Sequence, residues 1–441
     1  MSSQIVFLSL FLGLVSGRGN VELQAGPAIK SIQVLLDTRQ VAVMQHPPWR
    51  AAIDFGPSIA PGELVAIGFD EHRNEVARAT QTVNLPTPTA EFVIALQNDE
   101  KGVPVSAELR WEHLLAAKPV KSSLTVDDKA VPVDRTMHAR LPRLNMETPH
   151  VVAAELRFED GFVTRREMVV GGVRSDTAEA ALTPVAVRQA SEVPPAKLGD
   201  CFTSDGTPVR VSAIENSPAL VIAVLDPDPR LALSTLDPAS KNGWTERSSL
   251  RRLMPLDPGT RTRILSTVPQ QSKTTSNASV LLFQPSEDLD ASGGGLMWLL
   301  TRRNSALIDD HAPRRMADAV GVAGLSAVTG AHRRAVVLVL NRFKDESAHD
   351  GASIRNYLAT IGVPLFVWSL TGSRPDLRDS WGDVEDVSSL AKLKLAGDRL
   401  RAELASQRVA WVSADSVSAL RIQPTGRCSI TPLARNEPLK H

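Results

Sequence analysis

Net charge, cysteine, aromatic side chains and long apolar runs are all scarce in this chain of 441 residues. Each scarcity closes off a class of function. Basic and acidic residues number 49 each, so no overall charge draws the protein to nucleic acid or to an anionic membrane. Aromatic residues make up 4% of the chain, and Tyr357 is the only tyrosine. That argues against a platform on which bases or sugars stack. Cys201 and Cys428 are the only cysteines, too few for a zinc site of the usual kind. In an oxidising compartment they could pair, a matter that sequence leaves open because pairing needs close backbone approach. The histidines are scattered, with no pair at a spacing that demands a metal.

One apolar run stands out. Residues Ile5 to Val15 are uncharged and apolar and are followed by Ser16 and Gly17, which reads as a secretory signal over residues 1–17. No Lys or Arg precedes the run, so an N-terminal strand or short buried helix is the other reading. The run is too short to span a bilayer, and so is every other apolar stretch. The mature chain is therefore expected to be exported without a membrane span.

What the chain does contain is a change of period. From Ile32 the apolar residues alternate: Ile32, Val34 and Leu36, a turn at Asp37 to Gln40, then Val41 and Val43, with Pro47, Pro48 and Trp49 closing the pair. Such alternation marks hairpin strands with one buried face. A first β module is expected over residues 28–86, with Trp49 in its core. After the joint Leu85 to Thr89 the pattern resumes in Val103 to Trp111, Leu124 to Val126 and Val152 to Phe158, giving a second β-sandwich over 89–172 with Trp111 in its core. Residues 173–214 read as a linker rich in Ala, Pro and Thr, with one candidate strand at Pro184 to Val187, followed by a hairpin.

Beyond residue 214 the runs become continuous. Ala219 to Leu225, Ala335 to Leu340 and Val363 to Leu370 are apolar throughout, which suits strands buried on both faces of a parallel sheet. Further strands are expected at Thr262 to Val268, Val280 to Phe283 and Val409 to Val412. Helices are expected at Thr245 to Met254, Met316 to Val328 and Ser388 to Gln407, the last with Ser388 or Ser389 as N-cap. The fold class is thus multi-domain: N-terminal all-β sandwiches followed by a doubly wound α/β unit over 215–412, with a polar tail over 413–441.

Two resemblances follow from these residues. The stretch from Ile32 to Ala79, IQVLLDTRQVAVMQHPPWRAAIDFGPSIAPGELVAIGFDEHRNEVARA, resembles bacterial Ig-like repeats. VIAVLDPDP, RMADAVGVAGLSAVTGAHRRAVVLVLN, IRNYLATIGVPLFVWSL and LRAELASQRVAWV together resemble the von Willebrand factor A related domain of exported bacterial proteins, over about residues 218 to 412. That resemblance implies a metal-ion-dependent adhesion site at the carboxyl ends of the strands, where oxygen ligands hold a magnesium ion completed by an acidic residue of the partner. The motif is degenerate here. Asp226, Asp228 and Arg230 stand where Asp-x-Ser-x-Ser is expected, no threonine precedes Asp318-Ala319, and Leu340-Asn341-Arg342 replaces Thr-Asp-Gly. The expectation is a non-enzymatic protein-binding or scaffolding protein with no cofactor and a protein partner, whose interaction site lies at Asp226, Asp228, Arg230, Asn341 and Asp345. One alternative is a metal-dependent adhesion protein whose ion uses Asp226, Asp228 and a side chain between Asn341 and Asp345.

Other motifs carry less. Asp345, Glu346, His349 and Asp350 cluster beyond a strand end, and Glu346 and His349 have Glu-x-x-His spacing; a metalloenzyme or hydrolase around Asp345, Glu346 and His349 is the second alternative. A helix-capping loop is the simpler account, as a polar turn is for Asp309-Asp310-His311. Gly293-Gly294-Gly295 lacks the Lys and Ser/Thr of a phosphate loop. Gly324-Leu325-Ser326-Ala327-Val328 lacks the second glycine of a nucleophile elbow. Arg302-Arg303, Arg314-Arg315 and Arg333-Arg334 would form an anionic docking patch only if they converged on one face.

Overall fold

The computed structural model describes residues 4–9, 11, 13–86, 89–114, 116–172, 178–189, 194–204, 206–225, 256–268, 270–273, 279–283, 288–290, 314–340, 345–372, 375–414, 420–422, 428 and 430–433. The helix expected at Thr245 to Met254, and the motifs at Gly293 to Gly295 and Asp309 to His311, lie outside these residues.

The first module is a sandwich of a four-stranded and a three-stranded sheet. Ser31–Leu36 pairs with Arg39–Met44 and Gly62–Phe69, and Gly62–Phe69 with Glu75–Val83. Ile32 and Val34 are wholly buried between polar neighbours, the signature of one face packed and one wet. Trp49 lies in the same core. The second sheet contains a surprise for the leader reading. Ile5–Phe7 pairs antiparallel with Arg18–Ala25, which pairs with Arg50–Asp54, and Ile5 and Phe7 are buried in the module core. The first residues of the apolar run, Ile5–Phe7, thus form a short strand. A buried strand and the apolar stretch of a leader have the same composition, so the two were indistinguishable by pattern.

The second module packs Ala90–Asn98, Pro104–His113 and His138–Arg140 against Pro119–Val126, His150–Phe158 and Val163–Val170. Trp111 meets Phe158 edge to face at 5.6 Å. Its larger sheet does not stop at residue 172. Val163–Val170 pairs with a twelve-residue strand, Ala178–Gln189, where a linker was expected. That strand pairs in turn with Gln407–Ser413, which pairs with Val211–Glu215. Leu182, Ala186 and Val187 are buried, so small residues and one proline fill a strand that composition alone makes look loose. Gln407–Ser413, expected in the parallel sheet, therefore completes this antiparallel one.

The tail returns to the same region. Ile430–Pro432 pairs with Ala178–Gln189, and Leu420–Ile422 with Phe202–Ser204. A Cys201–Cys428 disulfide, with Cα atoms 5.7 Å apart, fastens it.

The third layer system is the parallel sheet. Its order is Leu289–Asp290, Arg261–Ser266, Ala219–Leu225, Arg333–Leu340, Leu365–Ser369, Val384–Asp386, and all its pairings except the one to Leu289–Asp290 are parallel. Helices α1 (Met316–Val328) and α2 (Gly351–Thr360) cover one face, with Leu220, Ile222, Val336 and Leu338 beneath them. Helix α4 (Leu390–Ser406) covers the other, over Val221, Ala223, Ala335 and Val337. Burial on both faces is why these strands read as unbroken apolar runs. The short helix α3 (Pro375–Trp381) buries Trp381 beside α2. Ser389 caps α4 by accepting from the Lys392 N–H, and Asp350 caps α2 by accepting from the Ser353 N–H at 2.8 Å, as expected of a capping loop. No described helix is long and apolar enough to cross a membrane.

Candidate functional site at the carboxyl edge of the parallel sheet

The chain winds outward in opposite directions from Ala219–Leu225 and Arg333–Leu340, which are neighbours. Such a switch point is where open α/β sheets keep their crevice. Asp226, Asp228, Arg230 and Asn341 follow those strands in sequence and lie outside the described residues. Asp345 is described. Its Oδ1 accepts from the Met316 N–H at 2.9 Å, the Ser347 N–H at 3.1 Å and the Ser347 hydroxyl at 2.6 Å, and its Oδ2 from the Ala317 N–H at 3.1 Å. The carboxylate is thus spent on the unpaired N–H groups and positive end of α1. Replacing it by alanine should lower stability by about 1–2 kcal/mol, the scale of a lost cap plus its charge, with Asp345→Asn intermediate; urea denaturation of the two variants checks the order.

Asp318, inside the first turn of α1, is the group that pattern reading passed over. It is 6% exposed and gathers the loop onto the helix: Oδ2 accepts from the Ala348 N–H at 3.0 Å, Oδ1 from the His349 N–H at 3.3 Å and from His349 Nδ1 at 2.8 Å. Burial pushes its pKa up, but the hydrogen bonds from His349 and Ala348 outweigh it and hold the carboxyl below its ordinary range. With Nδ1 donating, His349 Nε2 is left to accept, and Ser16 Oγ lies 3.2 Å away. A hydroxyl, an imidazole and a buried carboxylate therefore stand in line across the seam between the first module and the parallel sheet.

That line corrects the cluster expected from spacing. Asp345 and His349 serve different partners, and Glu346 is exposed, its backbone N–H donating to Arg314 O at 2.7 Å. Among the described residues no group of three His, Cys, Asp or Glu side chains is arranged to hold a metal. The Gly324 segment is settled too: a Cβ on Gly324 would press Leu358 of α2 at 2.9 Å, and Ser326 Oγ accepts from Arg263 at 2.7 Å. The glycine serves close helix contact. The described arginine pairs do not converge, since Arg315 follows Thr267 at the carboxyl edge while Arg333 and Arg334 begin a strand at the opposite end.

Around the site, Ser369 gives its hydroxyl to Gly372 O at 2.6 Å, and Thr267 is fully buried with Oγ1 unbonded. Asp318, Ser347 and Ser16 were missed because they belong to three separate segments. The only available signal was an aspartate on an otherwise apolar helix.

No family model matches the chain, and no curated protein matches it. Solved structures that align with it include fibronectin(III)-like modules of Clostridium thermocellum CbhA, at 11% identity over 40% of this chain and 92% of that one, TM-score 0.15. Proximal thread matrix protein 1 from the mussel byssus aligns at 14% identity, over 47% and 50%, TM-score 0.28. The central fibronectin-III array of RIM-binding protein aligns at 11%, over 44% and 81%, TM-score 0.20. Scores this low equate no fold, so the β-sandwich description rests on the strand pairings above.

Proposed function

We propose that this is an exported, non-enzymatic protein-binding or scaffolding protein, in which Ig-like β modules carry a von Willebrand factor A-like α/β unit with a degenerate ion site. The observation that supports the degenerate site best is the state of Asp345: with four donors on its carboxylate, it has little capacity left for a cation. Export is supported by the bridged Cys201 and Cys428, since disulfides persist in oxidising compartments. A binding role is supported by the composition, which favours neither nucleic acid nor an anionic membrane.

Magnesium and manganese test the central claim. A ligand that binds only the folded state raises the melting point. The expected result is an unchanged melting temperature of the full chain in millimolar Mg2+ or Mn2+. A saturable rise instead supports the metal-dependent adhesion reading, with Asp226, Asp228 and a side chain from the stretch Asn341 to Asp345 as ligands.

One observation favours a second reading. Ser16, His349 and Asp318 have the connectivity of a nucleophile, its base and the base's orienting carboxylate. Against it, the N–H after the serine, that of Gly17, donates to Gly56 O at 2.6 Å and is not available to a developing oxyanion. Incubation with a fluorophosphonate probe separates the readings. No labelling is expected; labelling abolished by Ser16→Ala would establish the hydrolase.

A further inference from the structure

The foot of the parallel sheet, opposite the carboxyl edge, carries more positive charge than it neutralises. Register runs straight from Arg261 through Leu220 to Arg334 across three strands. Residues in register on parallel neighbours share a face, so both arginines project toward the α1 side, their backbones about 10 Å apart at two strand spacings. Arg263, two residues on from Arg261, shares that face. Asp288 answers two of the three, at 2.7 Å from Arg263 and 4.0 Å from Arg261.

Among the described residues no carboxylate answers Arg334. The residue is 4% exposed, and its Nε and Nη1 have no hydrogen-bond partner. Its backbone is clamped by Gln407, whose Oε1 accepts from the Arg334 N–H at 2.8 Å and whose Nε2 donates to Arg334 O at 3.1 Å. Arg333, one residue away on the other face, shows what a satisfied buried arginine looks like here. It donates to Ser217 O at 2.6 Å and Leu404 O at 2.9 Å and pairs with Asp257 at 3.2 Å.

The surroundings fit a ligand of opposite charge. Arg261, in register with Arg334 on the same face, is half exposed. Gly161 packs against the Arg261 head, where an added Cβ would stand 2.8 Å from Nη1, and Gly330 lies beside His332, where one would stand 3.1 Å from Nε2. Burial, with Arg261 and Arg334 nearby, pushes His332 down to about 4, so it adds a neutral ring and no further repulsion. Burial alone lowers Arg334 to about 10, which leaves it charged at neutral pH. A buried charge without a partner is costly, and supplying the partner recovers that cost.

We propose that the foot of the sheet is a binding site for a small oxyanion, of the phosphate or carboxylate kind, held between Arg334 and Arg261. The site is separate from the carboxyl edge and does not depend on the function proposed for it. Arg334 supplies the fixed donors and Arg261 the gate through which the anion arrives.

Thermal unfolding of the full chain tests this, with sodium phosphate as probe and sodium chloride at matched ionic strength as control. Sodium acetate, run the same way, tells whether carboxylate is also taken. The expected result is a saturable, phosphate-specific rise in melting temperature, lost in Arg334→Met. In anion-free buffer Arg334→Met should melt above the parent, because removing an unpaired buried charge relieves the fold. Arg261→Gln, on a half-exposed residue that leaves the core untouched, should weaken the apparent phosphate affinity about tenfold, the equivalent of one charge-assisted contact. If phosphate and chloride act alike on the parent, or if Arg261→Gln responds to phosphate as the parent does, the site does not exist.

Discussion

A chain that begins at Arg18 will be less stable than one that begins at Met1, by on the order of 5 kcal/mol, a large share of a domain's total. Three losses add up to that figure. Ile5 and Phe7 leave the core of the first module, and a fully buried side chain of this size contributes about 1.5–3 kcal/mol. The strand Arg18–Ala25 loses its partner on one side. Asn84, 2% exposed, loses the backbone of Val15, to which it gives Nδ2 at 2.8 Å and from which it accepts at 2.7 Å. Its Nδ2 keeps Ala60 O at 2.8 Å, but a buried amide oxygen left without a donor costs about 1–3 kcal/mol.

The damage will not stay in that module. Asn84 O accepts from the Tyr357 hydroxyl of α2 at 2.9 Å, Ser16 holds His349, and Leu14 lies in the notch that Gly321 leaves in α1, where a Cβ would also strike Ile354. Both proteins can be exported behind the same foreign leader and compared by urea denaturation. Equal midpoints would mean that residues 1–17 are a leader and contribute nothing to the mature fold. Tyr357→Phe tests the same seam more gently and should cost about 1 kcal/mol.

Acid will act through His332. Its ordinary value of 6.5 falls to about 4 in the folded chain, chiefly because of burial and then because of Arg261, Arg334 and Arg263, with Asp288 opposing. Between those two values the unfolded chain takes up a proton that the folded chain refuses, so falling pH favours unfolding. The stabilisation is complete above pH 6.5 and is lost on the way down to pH 4. A shift of this size corresponds to about 2–3 kcal/mol at roughly 1.4 kcal/mol per unit, the lower figure allowing for the part of the residue still in contact with water. Lowered carboxylates act later: Asp318 and Asp386, the latter down at about 2 through Lys392 and Ser388, start from 3.8, so their contribution fades only below that pH. Denaturation midpoints measured from pH 7 to pH 4 should therefore fall steeply for the parent and much less for His332→Gln. Parallel curves would show that the ring is charged in the folded state.

How much was legible depended on what each segment had to satisfy. Ala219–Leu225 and Arg333–Leu340 were read correctly because strands covered on both faces allow no polar interruption, and α1 because its composition left no other use for Met316 to Val328. Ser389 and Asp350 announced their helices because a cap needs an oxygen at one position. Of Ala178–Gln189 only Pro184 to Val187 was legible as a strand, since the Ala and Thr around it serve a linker as well as a strand paired on both sides. The site was half legible. Asp345 could be placed near the carboxyl edge from the strand before it, but its bond to α1 joins residues far apart in sequence, as do the links from Asp318 to His349 and from His349 to Ser16. Arg334 carried no signal at all: an arginine pair reads the same whether its members are satisfied or stranded.

The central position of Gln407–Ser413 has a consequence for synthesis. Ala178–Gln189 and Val211–Glu215 flank it and do not bond to one another, so both must wait, edges open, until nearly the whole polypeptide has left the ribosome. Exposed edges of that kind invite pairing with other nascent chains. Ribosome-stalled lengths ending before residue 407 should thus need a holding chaperone, and lengths extending well past residue 413 should shed it.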